Sequence, residues 1–329
     1  MKLIIPMAGM GSRLRPLTLT TPKPLLKIAG KTILEHLIES IHSLTTEKIT
    51  DIAFIIGNFP FDVTSLLNQI AAKLNAISHI LIQEEPLGTA HAIYQARKLL
   101  NSKIIIAYAD TIFYSKQKLN TSIDSIIFTK KVADPSQYGI VKKNNDQIID
   151  FIEKPQKFIS DEAIIGIYYF KEGSLLLNVI NDIIKNNLKD NNEFQLTRAL
   201  KMLINNKMIF KSLIIDEWLD TGNPNILLET HKSILTKFSN SKINSEVTNT
   251  KIVHPVFIGN NVKITDSVIG PYVTIEDNTK IINSNLSNTI IYNNSKIQSS
   301  NINNSIIGAH STISNISNSI YAADYTQIS

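Results

Sequence analysis

The chain is 329 residues long, 43% hydrophobic and 19% charged, a globular balance with length for more than one domain. It contains no cysteine, which excludes disulfides and thiolate metal sites, and no run approaches the ~18 apolar residues that would cross a bilayer. Lysine and arginine number 33 against 28 acidic residues; the net charge of +5 is spread along the chain, which suits an anion-binding cleft and argues against nucleic-acid binding.

The amino terminus enters a strand directly, with no charged segment and long apolar stretch ahead of it, so a cytoplasmic location is expected. That strand, Leu3-Ile4-Ile5, runs through Pro6 into the loop Met7-Ala8-Gly9-Met10-Gly11-Ser12-Arg13, whose small residues let backbone N–H groups approach an anion. The loop is not a P-loop, which needs four residues between its glycines and then Lys-Ser/Thr. It is not a dinucleotide fingerprint either, because Leu14 stands where the third glycine belongs. Arg13 and Arg15 follow at once, and Lys23 is held between Pro22 and Pro24, which restrict its backbone. A planar guanidinium and a compact ammonium suit a triphosphate gripped at two places.

The stretch Gly9-Met10-Gly11-Ser12-Arg13-Leu14-Arg15-Pro16-Leu17-Thr18, with Pro22-Lys23-Pro24-Leu25 and Gly30-Lys31, resembles the signature of the sugar-1-phosphate nucleotidyltransferases, which make UDP-, dTDP-, GDP- or ADP-sugars. The resemblance implies that Met7, Ala8, Gly9, Gly11 and Ser12 bind the nucleotide, and that Arg13 and Lys23 are catalytic.

Further along, Ile33-Leu34, Leu37-Ile38 and Ile41 predict a helix, Ile52 to Ile56 a strand, and Val63 to Leu74 a second helix. Such alternation predicts an α/β fold, here a Rossmann-like mixed, mainly parallel sheet over residues 1–238, with the glycine loop at its carboxyl edge. After a strand at Ile80 to Ile82, Gln83 precedes Gly88-Thr89-Ala90, a small-residue turn opening another helix. An amide can donate and accept towards a pyrimidine edge, and small residues leave room for a flat ring. By resemblance, Gln83, Gly88 and Thr89 belong to the nucleobase pocket, while His91 is expected to pack or cap.

The run Lys103 to Ala109 reads as a strand buried on both faces and ends in Asp110, which is placed to bind a hard cation. The family usually has glycine before this acid; Ala109 stands there instead. Asp220, in Glu217-Trp218-Leu219-Asp220-Thr221-Gly222, matches the family's other ligand for Mg²⁺. Between these acids, Asp134 to Val141 reads as a turn and strand, and Asp150 to Pro155 as a strand ending in an acid and a base. By resemblance, Tyr138, Gly139, Glu153 and Tyr169 line the sugar pocket and Lys154 meets the sugar's phosphate. Glu193 to Thr197 is expected to start a helix.

From about Asn240 the composition shifts to Asn, Ser and Ile. Ile258, Ile264, Ile269, Ile275, Ile281, Leu286, Ile291, Ile297, Ile302, Ile307 and Ile313 recur at five or six residues. That spacing resembles the hexapeptide repeats of a short left-handed parallel β-helix over residues 239–329, of about three coils, with asparagine at corners needing left-handed backbone. His254 and His310 are its only histidines, and the segment is expected to act as a homo-oligomerisation platform rather than an acyltransferase.

The implied reaction transfers a nucleotidyl group from a nucleoside triphosphate, dTTP or UTP favoured, to a hexose 1-phosphate, glucose 1-phosphate favoured, releasing pyrophosphate. Two alternatives stay open: guanylyl transfer to mannose 1-phosphate, and a regulatory subunit that binds nucleotide sugars without turnover. The survival of Arg13, Lys23, Asp110, Glu153, Lys154 and Asp220 favours an enzyme.

Overall fold

The computed structural model describes residues 1–9, 11–59, 62–238 and 245–329. They form two compact units, Met1–Gly9 with Leu37–Leu219, and Met10–His36 with Asp220–Ser329. By contact, residues 10–36 and 220–238 cluster with the carboxyl-terminal repeats. The composition boundary after residue 238 adjoins residues 239–244, which, like Met10, lie outside the described residues.

The first unit is built on a nine-stranded sheet. In chain order its strands are β1 (Lys2–Pro6), β2 (Asp51–Ile56), β3 (Ile77–Ile82), β4 (Ile104–Ala107), β5 (Ser125–Lys131), β6 (Gly139–Asn144), β7 (Gln147–Glu153), β8 (Glu162–Phe170) and β9 (Phe210–Ile214). They lie in the order β3-β2-β1-β4-β8-β5-β9-β7-β6. The first four in that order are mutually parallel. β8 then runs antiparallel to both β4 and β5, β9 pairs parallel with β5, and β7 forms an antiparallel hairpin with β6. The expected parallel alternation therefore holds for the half carrying the glycine loop, and the sugar-side segments lie in the mixed half.

The helices are α1 (Ile33–Leu44), α2 (Thr64–Ala72), α3 (Thr89–Gln95), α4 (Gly173–Lys185), α5 (Leu196–Asn205) and α6 (Pro224–Phe238). α1 starts at a capping box: the Thr32 hydroxyl accepts from the Glu35 amide at 3.1 Å, and the Glu35 carboxylate accepts from the Thr32 amide at 2.8 Å. α4 buries Leu176, Val179, Ile180 and Ile183 at helical spacing, and α5 buries Leu196, Ala199, Leu200 and Leu203. These stripes join α3 and the strand residues Ile4, Ile104, Ile106, Tyr168, Phe170 and Phe210 in one core.

The second unit contains a parallel β-helix. On one face Glu246, Lys263, Lys280, Lys296, Thr312 and Gln327 stand in register, so successive turns take 15 to 17 residues. That face alone has six strands, which corrects the expectation of about three coils. Ile258 and Ile307 stack on one face with Ile275 and Ile291 between them, whereas Ile269 stacks on another with Leu286. All eleven aliphatic residues of the repeat are buried in a single core. The corners fall at left-handed residues, including Asn261, Asn278 and Asn294 in one column and Asn288 and Asn304 in another. Their side chains also bond along the column, Asn261 to Asn278 at 2.8 Å and Asn288 to Asn304 at 2.6 Å.

One face of this β-helix is buried on both sides. Thr274, Ile290 and Ile306, which alternate with the inward Ile275, Ile291 and Ile307, are fully buried. α6 packs on these strands, with the His231 ring 2.8 Å from the Thr274 hydroxyl and the Tyr321 hydroxyl donating to Asn225 at 2.7 Å. Burial, reinforced by Lys232, pushes His231 from 6.5 down to about 3, and its Nδ1 has no partner among the described residues. The unfolded chain therefore takes up this proton first as pH falls, so stability is full above about pH 6.5 and declines towards pH 3. The slope expected from this one group is about 1.4 kcal/mol per pH unit. Urea unfolding at pH 7, 6 and 5 should show that loss, and His231→Gln should flatten it; equal slopes in the two proteins would remove His231 as the cause.

Candidate active site

In the second unit, Gly11 adopts left-handed backbone at φ +61° and leads into a 3₁₀ turn, Ser12–Leu14. A Cβ there would stand 2.8 Å from the Lys23 Cβ, so the absence of a side chain lets the glycine loop close on Lys23. Thr18 fastens the closure, its hydroxyl donating to the Gly11 carbonyl at 2.9 Å. Lys23 is only 7% exposed and opens a second 3₁₀ turn, Lys23–Leu25, behind Pro22. Ser12, Arg13 and Arg15 are exposed. A held ammonium and exposed guanidinium groups thus flank one tight loop.

In the first unit, the Met7 amide extends the strand by donating to Ile55 at 2.8 Å. Ala8 lies against Gly57, where a Cβ would come within 2.8 Å of the Ala8 carbonyl, while Gly9 has open space beside it. Gln83, 7% exposed, donates from Nε2 to the Gly88 carbonyl and to His91 Nδ1, each at 3.2 Å. Burial, partly offset by Glu85, holds His91 below its ordinary value, so it serves as a neutral acceptor for the amide. At φ +110° a Cβ on Gly88 would meet the Phe194 carbonyl at 2.6 Å, so this glycine admits a neighbouring backbone.

Thr89 ties the same region together, accepting from the Leu196 amide at 2.9 Å and donating to Gln195 at 3.3 Å. Glu193 stands ahead of α5 rather than in its first turn, and holds the Gln195 amide at 2.6 Å.

Gly139 and Glu153 face each other across the β6–β7 hairpin, close enough that a Cβ on Gly139 would lie 3.0 Å from the carboxylate. The next residue, Lys154, turns through left-handed backbone at φ +43° with its amide on the Tyr138 carbonyl at 3.0 Å. Such a conformation is uncommon for lysine and aims the side chain independently of the strand. The Tyr138 ring stands edge-on to Trp218 at 5.1 Å.

Of the residues expected from the sequence to line a sugar pocket, Tyr169 is the one whose side chain turns elsewhere. It is fully buried, its hydroxyl donates to the Thr121 carbonyl at 2.9 Å, and burial with Glu47 and Asp124 pushes it up to about 12. Strand alternation sends its neighbour Tyr168 to the opposite face, edge-on to Tyr108 at 5.9 Å.

Tyr108, which sequence reasoning passed over inside an apolar run, is the node of the first unit. Its hydroxyl is buried close enough to the Thr89 side chain and to the Asp110 and Glu153 carboxylates for all three to act on its ionisation. Burial, then those two carboxylates, hold it well above its ordinary value and keep it protonated. Gly166, at φ +82°, makes room for the ring: a Cβ would sit 2.7 Å from Tyr108 Cδ2. One buried phenol therefore stands near three residues, Thr89, Asp110 and Glu153, that come from separate parts of the site expected from the sequence. The alternation that separates Tyr168 from Tyr169 was legible; the Tyr108 contacts are long-range and were not.

Asp110 follows the buried end of β4, just before the strand Thr111–Tyr114. In the second unit, Asp220 accepts from the Thr221 amide at 2.7 Å through Oδ1, and a Cβ on Gly222 would stand 3.1 Å from Oδ2. Both are hard oxygen donors, which fits a hard divalent cation. Among the described residues no group of three or more His, Cys, Asp or Glu side chains could hold a metal alone. Such an ion would complete its shell with phosphate oxygens and water. Among the described residues, no helix is long and apolar enough to cross a membrane.

Residues 2–237 match the Nucleotidyl transferase family, and the chain belongs to it. It is 28% identical over 324 residues to a glucose-1-phosphate thymidylyltransferase of Streptomyces antibioticus, covering 88% of this chain and 87% of that protein. To the bifunctional protein GlmU of Methanococcus maripaludis it is 32% identical over 271 residues, 82% of this chain but only 60% of the relative's length. The fold is similar to that of a nucleoside-diphosphate-sugar pyrophosphorylase from Vibrio cholerae, with a TM-score of 0.60 at 20% identity over 70% of this chain and 99% of that one.

Proposed function

We propose that the chain is a sugar-1-phosphate nucleotidyltransferase that joins a nucleoside triphosphate, dTTP or UTP favoured, to a hexose 1-phosphate, glucose 1-phosphate favoured, and releases pyrophosphate. The observation that carries this is the Tyr108 node, which links Thr89, Asp110 and Glu153 in a chain of the nucleotidyl transferase family. The sugar phosphate's oxygen attacks the α-phosphorus in line. It is already largely anionic near neutral pH, since a phosphomonoester loses its second proton near pH ~6, so no strong base is required.

Catalysis is then positioning and charge neutralisation. Met7, Ala8, Gly9, Gly11 and Ser12 line the triphosphate, Arg13 holds the departing pyrophosphate, and Lys23 and Lys154 hold the reacting phosphates. Glu153, beside Gly139, accepts from sugar hydroxyls next to Tyr138, with Tyr168 in the place first given to Tyr169. Mg²⁺ on Asp110 and Asp220 would neutralise charge on the bridging phosphate oxygens.

Gln83 supports the base preference. Its two amide hydrogens are directed at Gly88 and His91, which leaves the carbonyl to accept from a base. Thymine and uracil offer a ring N–H, and cytosine offers none at that position. Phosphorylated, membrane-impermeant substrates place the reaction in the cytoplasm, and we expect a homo-oligomer through the β-helix.

The test is pyrophosphate release with Mg²⁺ across dTTP, UTP, GTP, CTP and ATP against glucose, mannose, galactose and N-acetylglucosamine 1-phosphates. Turnover in the dTTP or UTP rows is expected. Turnover only with GTP and mannose 1-phosphate would keep the mechanism and reverse the base assignment, and silence with intact nucleotide binding would point to a regulatory subunit.

A further inference from the structure

The segment that carries Gly11, Arg13 and Lys23 is fastened to the β-helix on both sides of Lys23. Upstream, the Thr20 hydroxyl donates to Asp324 Oδ2 at 2.7 Å, while Asp324 Oδ1 is held by the Ala309 amide at 2.7 Å. Downstream, Glu276 takes two bonds from the short hairpin of Lys27–Ile28 and Lys31–Thr32: Lys27 Nζ on Oε2 at 3.2 Å and the Gly30 amide on Oε1 at 3.2 Å. The Tyr292 hydroxyl adds a bond to the Lys27 carbonyl at 3.2 Å. Phe257 lies so close over Gly30, which has φ +82°, that a Cβ would come within 2.3 Å of the ring.

Glu276 is 2% exposed, deep for a carboxylate. A buried charge of this kind is tolerated only with its partners in place, so the contact has one geometry rather than the many of a surface ion pair. Lys23 lies between the two anchors, and upstream of them Gly11 and Thr18 close the loop onto it.

We propose that Glu276 and Asp324 are positioning residues for the phosphate-gripping segment, so that the β-helix takes part in catalysis by fixing where Lys23 stands. This rests on the role proposed above for Lys23. A misplacement of about 1 Å of such a group costs up to roughly 10²-fold in turnover. The two anchors are independent in sequence, 48 residues apart between Glu276 and Asp324, and each can be cut without touching a substrate-binding residue.

The experiment compares pyrophosphate release, Tm and backbone hydrogen exchange for the full-length protein and for Glu276→Gln, Thr20→Val and Lys23→Met, together with Glu276→Gln/Lys23→Met. Thr20 is exposed, so Thr20→Val severs one anchor with the β-helix intact. The expected result is a kcat lowered about 10- to 100-fold in Glu276→Gln and less in Thr20→Val. Tm should be unchanged and exchange faster across residues 11–32. Adding Glu276→Gln to Lys23→Met should cost nothing further, because residues that act as a unit are not additive. Normal turnover in both anchor variants of an active enzyme overturns the positioning role and leaves the catalytic one standing. So does a loss of kcat in both that only follows a loss of Tm, or a full additional loss in the double variant. A wild-type protein silent with every substrate pair, or a fully active Lys23→Met, sinks the role of Lys23 first and the positioning role with it.

Discussion

Arg13→Ala should lower kcat by roughly 10²- to 10³-fold, the loss typical of one preorganised donor to developing charge. The guanidinium is exposed in the short turn Ser12–Leu14, so its removal takes away no core contact, and Tm should stay where it is. Negative charge builds on the leaving pyrophosphate as the α-phosphorus bond breaks, so the interaction is stronger in the transition state than in the bound substrate. A group of that kind affects kcat and kcat/KM equally, whereas a group that only binds triphosphate raises KM at unchanged kcat. Steady-state kinetics of pyrophosphate release separate the two. Arg13→Lys should recover part of the loss, since a point charge remains but the planar fork does not. A near-normal kcat in Arg13→Ala would end the assignment.

Asp110→Asn and Asp220→Asn should each lower turnover by about 10³-fold or more at saturating Mg²⁺, because several kcal/mol of charge stabilisation depends on the ion they are proposed to hold. Asparagine keeps the shape of either side chain and one carbonyl oxygen, so the substitution isolates the charge. The two variants differ in one respect. Asp110 borders Tyr108, whose hydroxyl is held up partly by that carboxylate, so Asp110→Asn should also shift Tyr108 towards its ordinary value. Asp220 rests instead on the Thr221 amide beside Gly222. Calorimetric titration of Mg²⁺ in the presence of nucleotide gives a readout apart from activity. Unchanged Mg²⁺ affinity in both variants would remove these residues as ligands.

Much of the site was legible because its parts are local. The loop from Met7 to Arg13 and the fenced Lys23 are contiguous in sequence, and the backbone does what their glycines and prolines dictate: Gly11 turns left-handed and Pro22 delivers Lys23 into a tight turn. The Gly139–Glu153 pair was readable for the same reason, since a hairpin brings its two ends together by register alone. Tyr168 and Tyr169 differ by one residue, and one residue in a strand reverses the face, which only the strand's placement in the sheet resolves. The β-helix also carried a signal that single-residue periodicity hides. The doublets Ile290-Ile291 and Ile306-Ile307 set one isoleucine inward and one outward, which marks a face covered on both sides.

The sequence by itself determined the α/β core, the phosphate loop and the Ile-and-Asn repeat of the β-helix, because each follows from spacing within a few residues and from the backbone preferences of Gly, Pro and Asn. Only the tertiary structure decided that residues 10–36 belong with the β-helix, that Glu276 and Asp324 hold the segment around Lys23, and that Tyr108 joins Thr89 to two carboxylates. Apart from Tyr108 with Asp110, those contacts pair residues tens to hundreds of positions apart. Their existence depends on which faces remain to be buried after each local element has formed, and no local pattern encodes that.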